Sequence, residues 1–205
     1  MEHLGGECMT LYNQAKVLLR KYNGTFTRRQ AISEGIATPS LSRMVEQELI
    51  ERVGPGIYAD PMSFEDEFLI AQLRLSRGIF CKETALYLHN MTDRTPNFME
   101  MTFPKGYKSN YFDELRIKPY RQIDALYGMG ITTIETPYGN QVRVYDIERT
   151  LCDIIRPPHV AQDEVVRQAM QGYVQRPEKD LNRLMKYAKS LKVDAKIKTY
   201  MSVLG

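Results

Sequence analysis

The punctuation between residues 27 and 39 constrains this chain more tightly than any other stretch. Thr27-Arg28-Arg29-Gln30 has the spacing of a capping box, in which the Gln30 amide donates to the threonine oxygen and the Thr27 amide donates to the glutamine side chain. A helix starting there runs only to Glu34, because Gly35 suits the left-handed residue just past a helix end. Thr38-Pro39 then supplies an N-cap and a proline preorganised for the first helical position. Two short helices separated by a three-residue turn leave few folds open.

The flanking residues narrow the choice. Leu11, Ala15, Leu18, Leu19 and Tyr22 recur at helical spacing, so a first helix over about 10–22 turns Lys16, Arg20 and Lys21 outward before Asn23-Gly24 ends it. In the third helix Leu41, Val45 and Leu49 recur every four residues with Met44 beside them, which leaves Ser40, Ser42, Arg43 and Gln47 facing outward. Strand-like Ile50–Val53 and Ile57–Ala59 flank Gly54-Pro55-Gly56, a tight hairpin. Three helices followed by a hairpin spell a winged helix-turn-helix over residues 1–60. In such a module the third helix docks in a major groove, where Ser40, Ser42, Arg43 and Gln47 reach base edges. Lys16, Arg28, Arg29 and the wing residue Arg52 then lie along phosphates. Winged helices also serve as protein–protein modules, so the fold by itself leaves both kinds of partner open.

Charge distribution adds to this. The net charge of +3 is uninformative, but residues 1–60 hold 7 basic and 7 acidic side chains, 61–160 hold 12 and 13, and 161–205 hold 9 and 5. Within the first segment, Lys16 to Arg43 are basic apart from Glu34, and the acidic Glu46, Glu48 and Glu51 follow. Such clustering is the electrostatic footprint of a polyanion partner, although a solvated basic face has the same composition. No apolar run approaches the roughly 18 to 20 residues of a membrane helix, and Glu2 and Glu7 around Gly5-Gly6 are unlike a secretory signal. The expectation is a cytoplasmic protein with no membrane partner. Cys8, Cys81 and Cys152 are odd in number and far apart, which fits neither a disulfide framework nor a paired Cys-x-x-Cys metal site.

At 205 residues the chain is long for a lone DNA-binding module, and Asp60-Pro61 marks the expected boundary of a second domain over 61–205. Ser63 is placed to cap a helix carrying Phe64, Phe68, Ala71 and Leu75, and another helix is expected at about 82–89. Met99, Met101 and Phe103 alternate with Glu100 and Thr102 as in a half-buried strand, and Leu115 and Ile117 alternate likewise. Ile131–Glu135 and Gln141–Tyr145 read as a hairpin, and Asp146 caps a helix stopped by Pro157-Pro158. Helical stretches over about 162–174, 178–191 and 194–204 complete the chain. The whole is α+β: a winged helix-turn-helix, then a mixed α+β domain with a small, mostly antiparallel sheet and a C-terminal helical region.

Catalytic signatures are missing. His89 and His159 lack metal-ligand spacing, and there is no Gly-rich phosphate loop or nucleophile elbow. Glu65-Asp66-Glu67 are consecutive, so on a helix they point about 100° apart and read as a solvated first turn. A non-enzyme with no cofactor and no metal is expected. Lys179, Arg183 and Lys186 fall at i, i+4 and i+7 and form a basic ridge, an ordinary wet face or a contact surface for nucleic acid or an acidic partner.

The order of these parts resembles the AbiEi family, the abortive-infection antitoxins of bacterial type IV toxin–antitoxin systems. The resemblance rests on Gly56-Ile57-Tyr58-Ala59-Asp60-Pro61, Lys82-Glu83-Thr84-Ala85-Leu86-Tyr87-Leu88-His89 and Val144-Tyr145-Asp146-Ile147-Glu148-Arg149-Thr150-Leu151-Cys152-Asp153, patterns of packing and turn residues spread over nearly the whole chain. It implies a bifunctional protein: the winged helix represses its own operon at inverted promoter repeats, with Thr38 to Gln47 and the wing reading double-stranded DNA. The second domain counters a nucleotidyltransferase-like toxin of the same operon, without a stable complex. Candidates for that role, on charge alone, are Arg156 and the ridge of Lys179, Arg183 and Lys186. Two other readings stay open. One is a winged-helix regulator whose α+β domain senses a small effector between Tyr107, Tyr111, Phe112 and Tyr120, residues that equally suit a core. The other, a nucleic-acid-modifying enzyme, is disfavoured by the missing catalytic constellation.

Overall fold

The computed structural model describes residues 2–204, with side chains described from Thr10 to Val203. Cys8 lies outside the described side chains. The chain divides into two compact units at Arg74, and the turn Thr136–Asn140 belongs with the first. The partition lies beyond Pro61 because the helix after the proline packs against the first wing strand.

In the first unit, α1 (Glu2–Lys21), β1 (Thr25–Thr27), α2 (Arg28–Ser33) and α3 (Thr38–Glu46) lead into β2 (Glu51–Gly54), β3 (Ile57–Ala59) and α4 (Glu67–Arg74). The capping box forms: the Gln30 amide donates to Thr27 Oγ1 at 3.2 Å, and the Thr27 amide donates to Gln30 Oε1 at 2.7 Å. Gly35 takes φ +80°, and α3 begins within three residues. Its cap is Ala37 rather than Thr38, with no side-chain cap bond; Thr38 and Pro39 already lie inside the helix, where proline costs no backbone bond. Leu11, Ala15 and Leu18 of α1, Ala31 of α2, and Leu41 and Met44 of α3 bury one core with Phe26 and Tyr58.

The three strands form a sheet in the order β1-β3-β2, with β3 antiparallel to both neighbours. β1 was not expected from the sequence. Phe26 pairs with Tyr58 across it, their rings stacked at 5.6 Å, so burial of Phe26 contributes about 2 to 3 kcal/mol where helical periodicity has already stopped. Ser63 does not cap α4: its hydroxyl donates to the Asp60 carbonyl, and Phe64 is 88% exposed. The cap is Asp66, whose Oδ1 accepts the Leu69 amide at 3.0 Å. Its Oδ2 accepts Thr136 Oγ1 at 2.6 Å and Asn140 Nδ2 at 2.9 Å. The middle residue of the acidic run is therefore buried in a polar network and not solvated.

The second unit contains β4 (Ile79–Phe80), α5 (Lys82–Leu88), β5 (Met99–Pro104), β6 (Ile117–Gln122), α6 (Asp124–Tyr127), β7 (Ile131–Glu135), β8 (Gln141–Tyr145), α7 (Ile147–Ile154), α8 (Asp163–Gln175), α9 (Leu181–Leu191) and α10 (Asp194–Leu204). Its sheet order is β6-β5-β4-β8-β7. β4–β5 and β7–β8 are antiparallel, but β5–β6 and β4–β8 are parallel, so the sheet is mixed and not mostly antiparallel. The connection over 105–116 is long enough for a parallel crossover, which a hairpin loop is not. Every residue of β5 is buried, Glu100 and Thr102 included, because both faces of the central strands are covered.

Asp146 caps α7 as expected, accepting the Arg149 amide at 2.8 Å. All of α7 after Ile147 is buried, which places Arg149 at 0% exposure. Its Nε donates to Asp153 Oδ2 at 2.9 Å, and its Nη1 donates to the carbonyls of Leu126 and Met129 at 2.6 and 2.9 Å. The guanidinium lies 4.1 Å from the Tyr145 ring centroid. Burial pushes the Asp153 carboxyl upward, and Arg149 is the strongest of the cations pulling it back. Arg149→Leu, which strands that carboxyl in the core, is expected to cost about 3 to 5 kcal/mol, read from the urea midpoint.

His89, just past α5, meets the Tyr145 carbonyl through Nε2 at 2.8 Å. Burial, the largest influence, pulls its imidazole below the ordinary histidine value. The folded chain thus binds this proton less readily than the unfolded chain, so the His89 contribution to stability falls as pH drops through about 6.5. Comparing urea midpoints at about pH 7.5 and 5.5, His89→Gln is expected to lose less on acidification than the parent chain.

Candidate nucleic-acid interface

The residues expected to read bases sit on a helix whose buried stripe is fixed by Leu41 and Met44. Successive positions differ by about 100°, so the arc opposite that stripe is centred on Arg43 and Glu46, with Ser42 and Gln47 at its edges. Ser42, Arg43 and Gln47 are exposed, whereas Ser40 is half-buried on the core side, about 160° from Ser42. Glu46 places a carboxylate in the middle of the outward face, a feature that residue-by-residue selection of polar side chains passed over. Gln47 is the C-cap, after which Glu48 takes φ +55° and the chain turns toward β2.

Of the residues expected to face phosphate, Arg28 and Arg52 are bonded to the wing. The Arg28 amide, at the start of α2, donates to the Gly56 carbonyl at the wing tip at 2.7 Å. Gly56 adopts φ +69° there, a left-handed conformation that closes the turn between β2 and β3. A bulge between Arg52 and Gly54 bends the edge strand, and Arg52 Nε donates to the Gly54 carbonyl at 3.4 Å. Arg28, Arg29 and Arg52 are exposed and have no carboxylate partner among the described residues. Lys16 is exposed on α1, 5.9 Å from the Tyr12 ring centroid. Lys21 differs: it holds Glu34 at 2.8 Å, and Tyr22 Oη donates to the same carboxylate at 2.9 Å. These bonds raise the Lys21 pKa and lower that of Glu34, so Lys21 is already committed. Arg20, exposed on the same helix, is a cation that sequence reasoning left unassigned to the interface.

In the second unit the ridge is not continuous. Lys179 precedes the Asp180 cap of α9 and donates to the Arg176 carbonyl at 3.2 Å. Arg183 pairs with Asp180 at 3.3 Å and with buried Glu148 at 3.7 Å, and the Glu148 charge is the main cause of its raised pKa. Lys186 is exposed on α9, and Arg156 lies elsewhere, donating to Gln122 Oε1 at 3.3 Å. The four aromatic effector candidates do not share a pocket either. Tyr107 stacks on Phe103 at 4.7 Å and Phe112 meets it tilted at 5.1 Å, Tyr111 is exposed, and Tyr120 turns its hydroxyl to Glu100 at 2.6 Å. Among the described residues no group of His, Cys, Asp or Glu is arranged to hold a metal ion, and no helix is long and apolar enough to cross a membrane.

Three helices with a tight turn between the second and third, closed by a three-stranded sheet and its wing, define a winged helix-turn-helix, a module class of transcriptional regulators. Residues 14–59 match the sequence model of the family described as transcriptional regulator, AbiEi antitoxin. Over those residues the N-terminal module is similar to that of a family of transcriptional regulators. Among solved structures, the crystal structure of the RV2827C protein from Mycobacterium tuberculosis superposes with a TM-score of 0.50 at 15% identity, over 94% of this chain and 81% of that one. At that identity the likeness is one of fold. No curated protein matches the chain.

The wing turn offers a direct check of this geometry. An alanine at Gly56 meets only ordinary contact with Arg28 Cβ at 3.6 Å, so its cost is backbone strain. Gly56→Ala is expected to destabilise the chain by about 1 to 2 kcal/mol in urea denaturation, with the loss confined to the first unit in hydrogen exchange.

Proposed function

We propose that the chain is a cytoplasmic antitoxin of a type IV toxin–antitoxin system that also represses its own operon. Residues 1–60 bind inverted-repeat promoter DNA, and 61–205 counter a nucleotidyltransferase-like toxin of the same operon without a stable complex, the protein itself being non-catalytic. One observation carries this reading: the AbiEi match over 14–59 falls on a complete winged helix whose second helix and wing present Arg28, Arg29 and Arg52 with no carboxylate partner among the described residues. Cations without a carboxylate partner lose little on meeting phosphate and release counterions from it.

In this reading Arg43, Ser42 and Gln47 meet base edges, with Ser40 at the margin, while Lys16, Arg28, Arg29 and Arg52 meet the backbone. Glu46 beside Arg43 disfavours phosphate there and so helps set the register of α3 in the groove. The antitoxin surface is assigned to Arg156, Lys179, Arg183 and Lys186, of which Arg183 is already paired with carboxylates.

With four or five phosphates neutralised, log K for the promoter against log salt is expected to have a slope of about −4. Arg28→Ala with Arg52→Ala should flatten that slope by about 2, whereas Lys21→Ala should leave it unchanged, because Lys21 is held by Glu34. Mobility shifts over a salt series measure both, and a slope near zero for the parent chain overturns the DNA reading. For the second activity, the full chain co-expressed with the toxin should restore growth, and charge reversal at Arg156, Lys179, Arg183 and Lys186 should abolish rescue while leaving repression intact.

A further inference from the structure

The five-stranded sheet of the second unit ends on β6 at one side and on β7 at the other. A strand at a sheet edge presents unpaired amides and carbonyls, and native chains guard such edges with proline, lysine or a bulge. β6 is guarded: Pro119, in its middle, has no amide to offer, and Lys118 precedes it. β7 has none of these devices. Its sequence is Ile-Thr-Thr-Ile-Glu, β-branched residues followed by a single carboxylate, and its register with β8 runs from Ile131 to Glu135 without a bulge.

The ladder with β8 decides which backbone groups of β7 are free. Just beyond its two ends the Asp146 amide donates to the Gly130 carbonyl and the Thr136 amide to the Asn140 carbonyl, each at 2.7 Å. Bonded and non-bonded pairs alternate along an antiparallel pair, so Thr132 and Ile134 also spend their amides and carbonyls on β8. Ile131, Thr133 and Glu135 turn theirs the other way. Among the described residues no hydrogen bond reaches those groups, and all three residues are exposed, Ile131 at 37%.

This pattern is self-complementary. Laid antiparallel across a two-fold axis at Thr133, a second β7 sets Thr133 against the partner's Thr133, Ile131 against the partner's Glu135, and Thr132 against the partner's Ile134. The outward-facing residues 131, 133 and 135 then meet one another as the bonded pairs, so every free amide and carbonyl on both strands is satisfied. A shift by two residues would leave Ile131 or Glu135 unpaired. The threonines at the axis form a favourable cross-strand pair, and the carboxylate of each strand faces an isoleucine and not its own copy.

We infer that β7 is the docking edge for a second copy of this chain, the two five-stranded sheets joining through it into one continuous sheet. Neither DNA nor toxin takes part, so failure of this pairing leaves the antitoxin reading standing.

A single strand pair makes a small interface, so sedimentation equilibrium of the full chain is expected to show a reversible dimer with a dissociation constant of about 10 to 100 µM. Thr133→Pro removes the amide that pairs at the axis and should weaken the dimer about tenfold or more. That amide makes no bond to β8, so the ladder within the chain is kept. The register is read separately by oxidation in a Cys8→Ser background, Cys81 and Cys152 being buried. Chains carrying Thr132→Cys, mixed with chains carrying Ile134→Cys, should link by a disulfide, because non-bonded facing pairs bring Cα atoms to about 4.5 Å, whereas Thr132→Cys chains alone should not. A monomer throughout that concentration range, an unchanged dimer with Thr133→Pro, or no mixed disulfide overturns the inference.

Discussion

A guanidinium buried in the core of the second unit sets the terms for the elements around it. Arg149 carries five N–H donors with no access to water, and the groups that meet them come from α7 itself, the end of α6 and the end of β8. Asp153 lies one turn further along α7, the Leu126 and Met129 carbonyls flank the end of α6, and the Tyr145 ring at the end of β8 covers the charged plane. Nη2 has no hydrogen-bond partner among the described residues, and the π-face of Tyr145 is the compensation available to it. Moving α6 or β8 would strand a charge, a penalty far above that of losing apolar contacts. Gly130 follows from the same constraint, because a Cβ there would come within 2.8 Å of Arg149 Cβ.

Positive charge in this protein separates into two kinds, and the separation carries more functional meaning than the total. Lys21 and Arg183 have carboxylate partners that fix them as structural ties. Arg28, Arg29 and Arg52 in the first unit, and Arg121 and Arg156 in the second, have none among the described residues. A cation already paired gains little from an external phosphate, since it exchanges one anion for another. An unpaired cation held by backbone carbonyls or aromatic rings keeps its orientation and its full electrostatic reach. Within the α9 ridge the same distinction sets Arg183 apart from Lys179 and Lys186, which have no carboxylate partner among the described residues.

The winged helix was legible because its determinants are local. The Thr27–Gln30 box acts across three residues, Gly35 ends a helix through its own φ, and Asp146 caps α7 by reaching one turn ahead. Where a local rule had two candidates, it chose wrongly. Ser63 precedes an apolar run as Asp66 does, but only Asp66 also meets Thr136 and Asn140 far along the chain. Strand β1 was missed because three residues carry no periodicity, and it exists because Phe26 pairs with Tyr58. The parallel register of β5 and β6 and the burial of both faces of β5 depend on what covers the sheet, which alternation along one strand cannot encode.

By itself, then, the sequence determined the helix-turn-helix, its wing, the hairpin of β7 and β8, and the residue types on the outward face of α3. The tertiary structure decided which of those residues are free to act. Caps and turns are settled by hydrogen bonds within about one helical turn, so their information lies in neighbouring letters. The role of a charged side chain depends on its acceptor, and for Arg183 that is Glu148, while for Lys82 it is the backbone of Asp153 and His159. Those distances are closed only when the core folds.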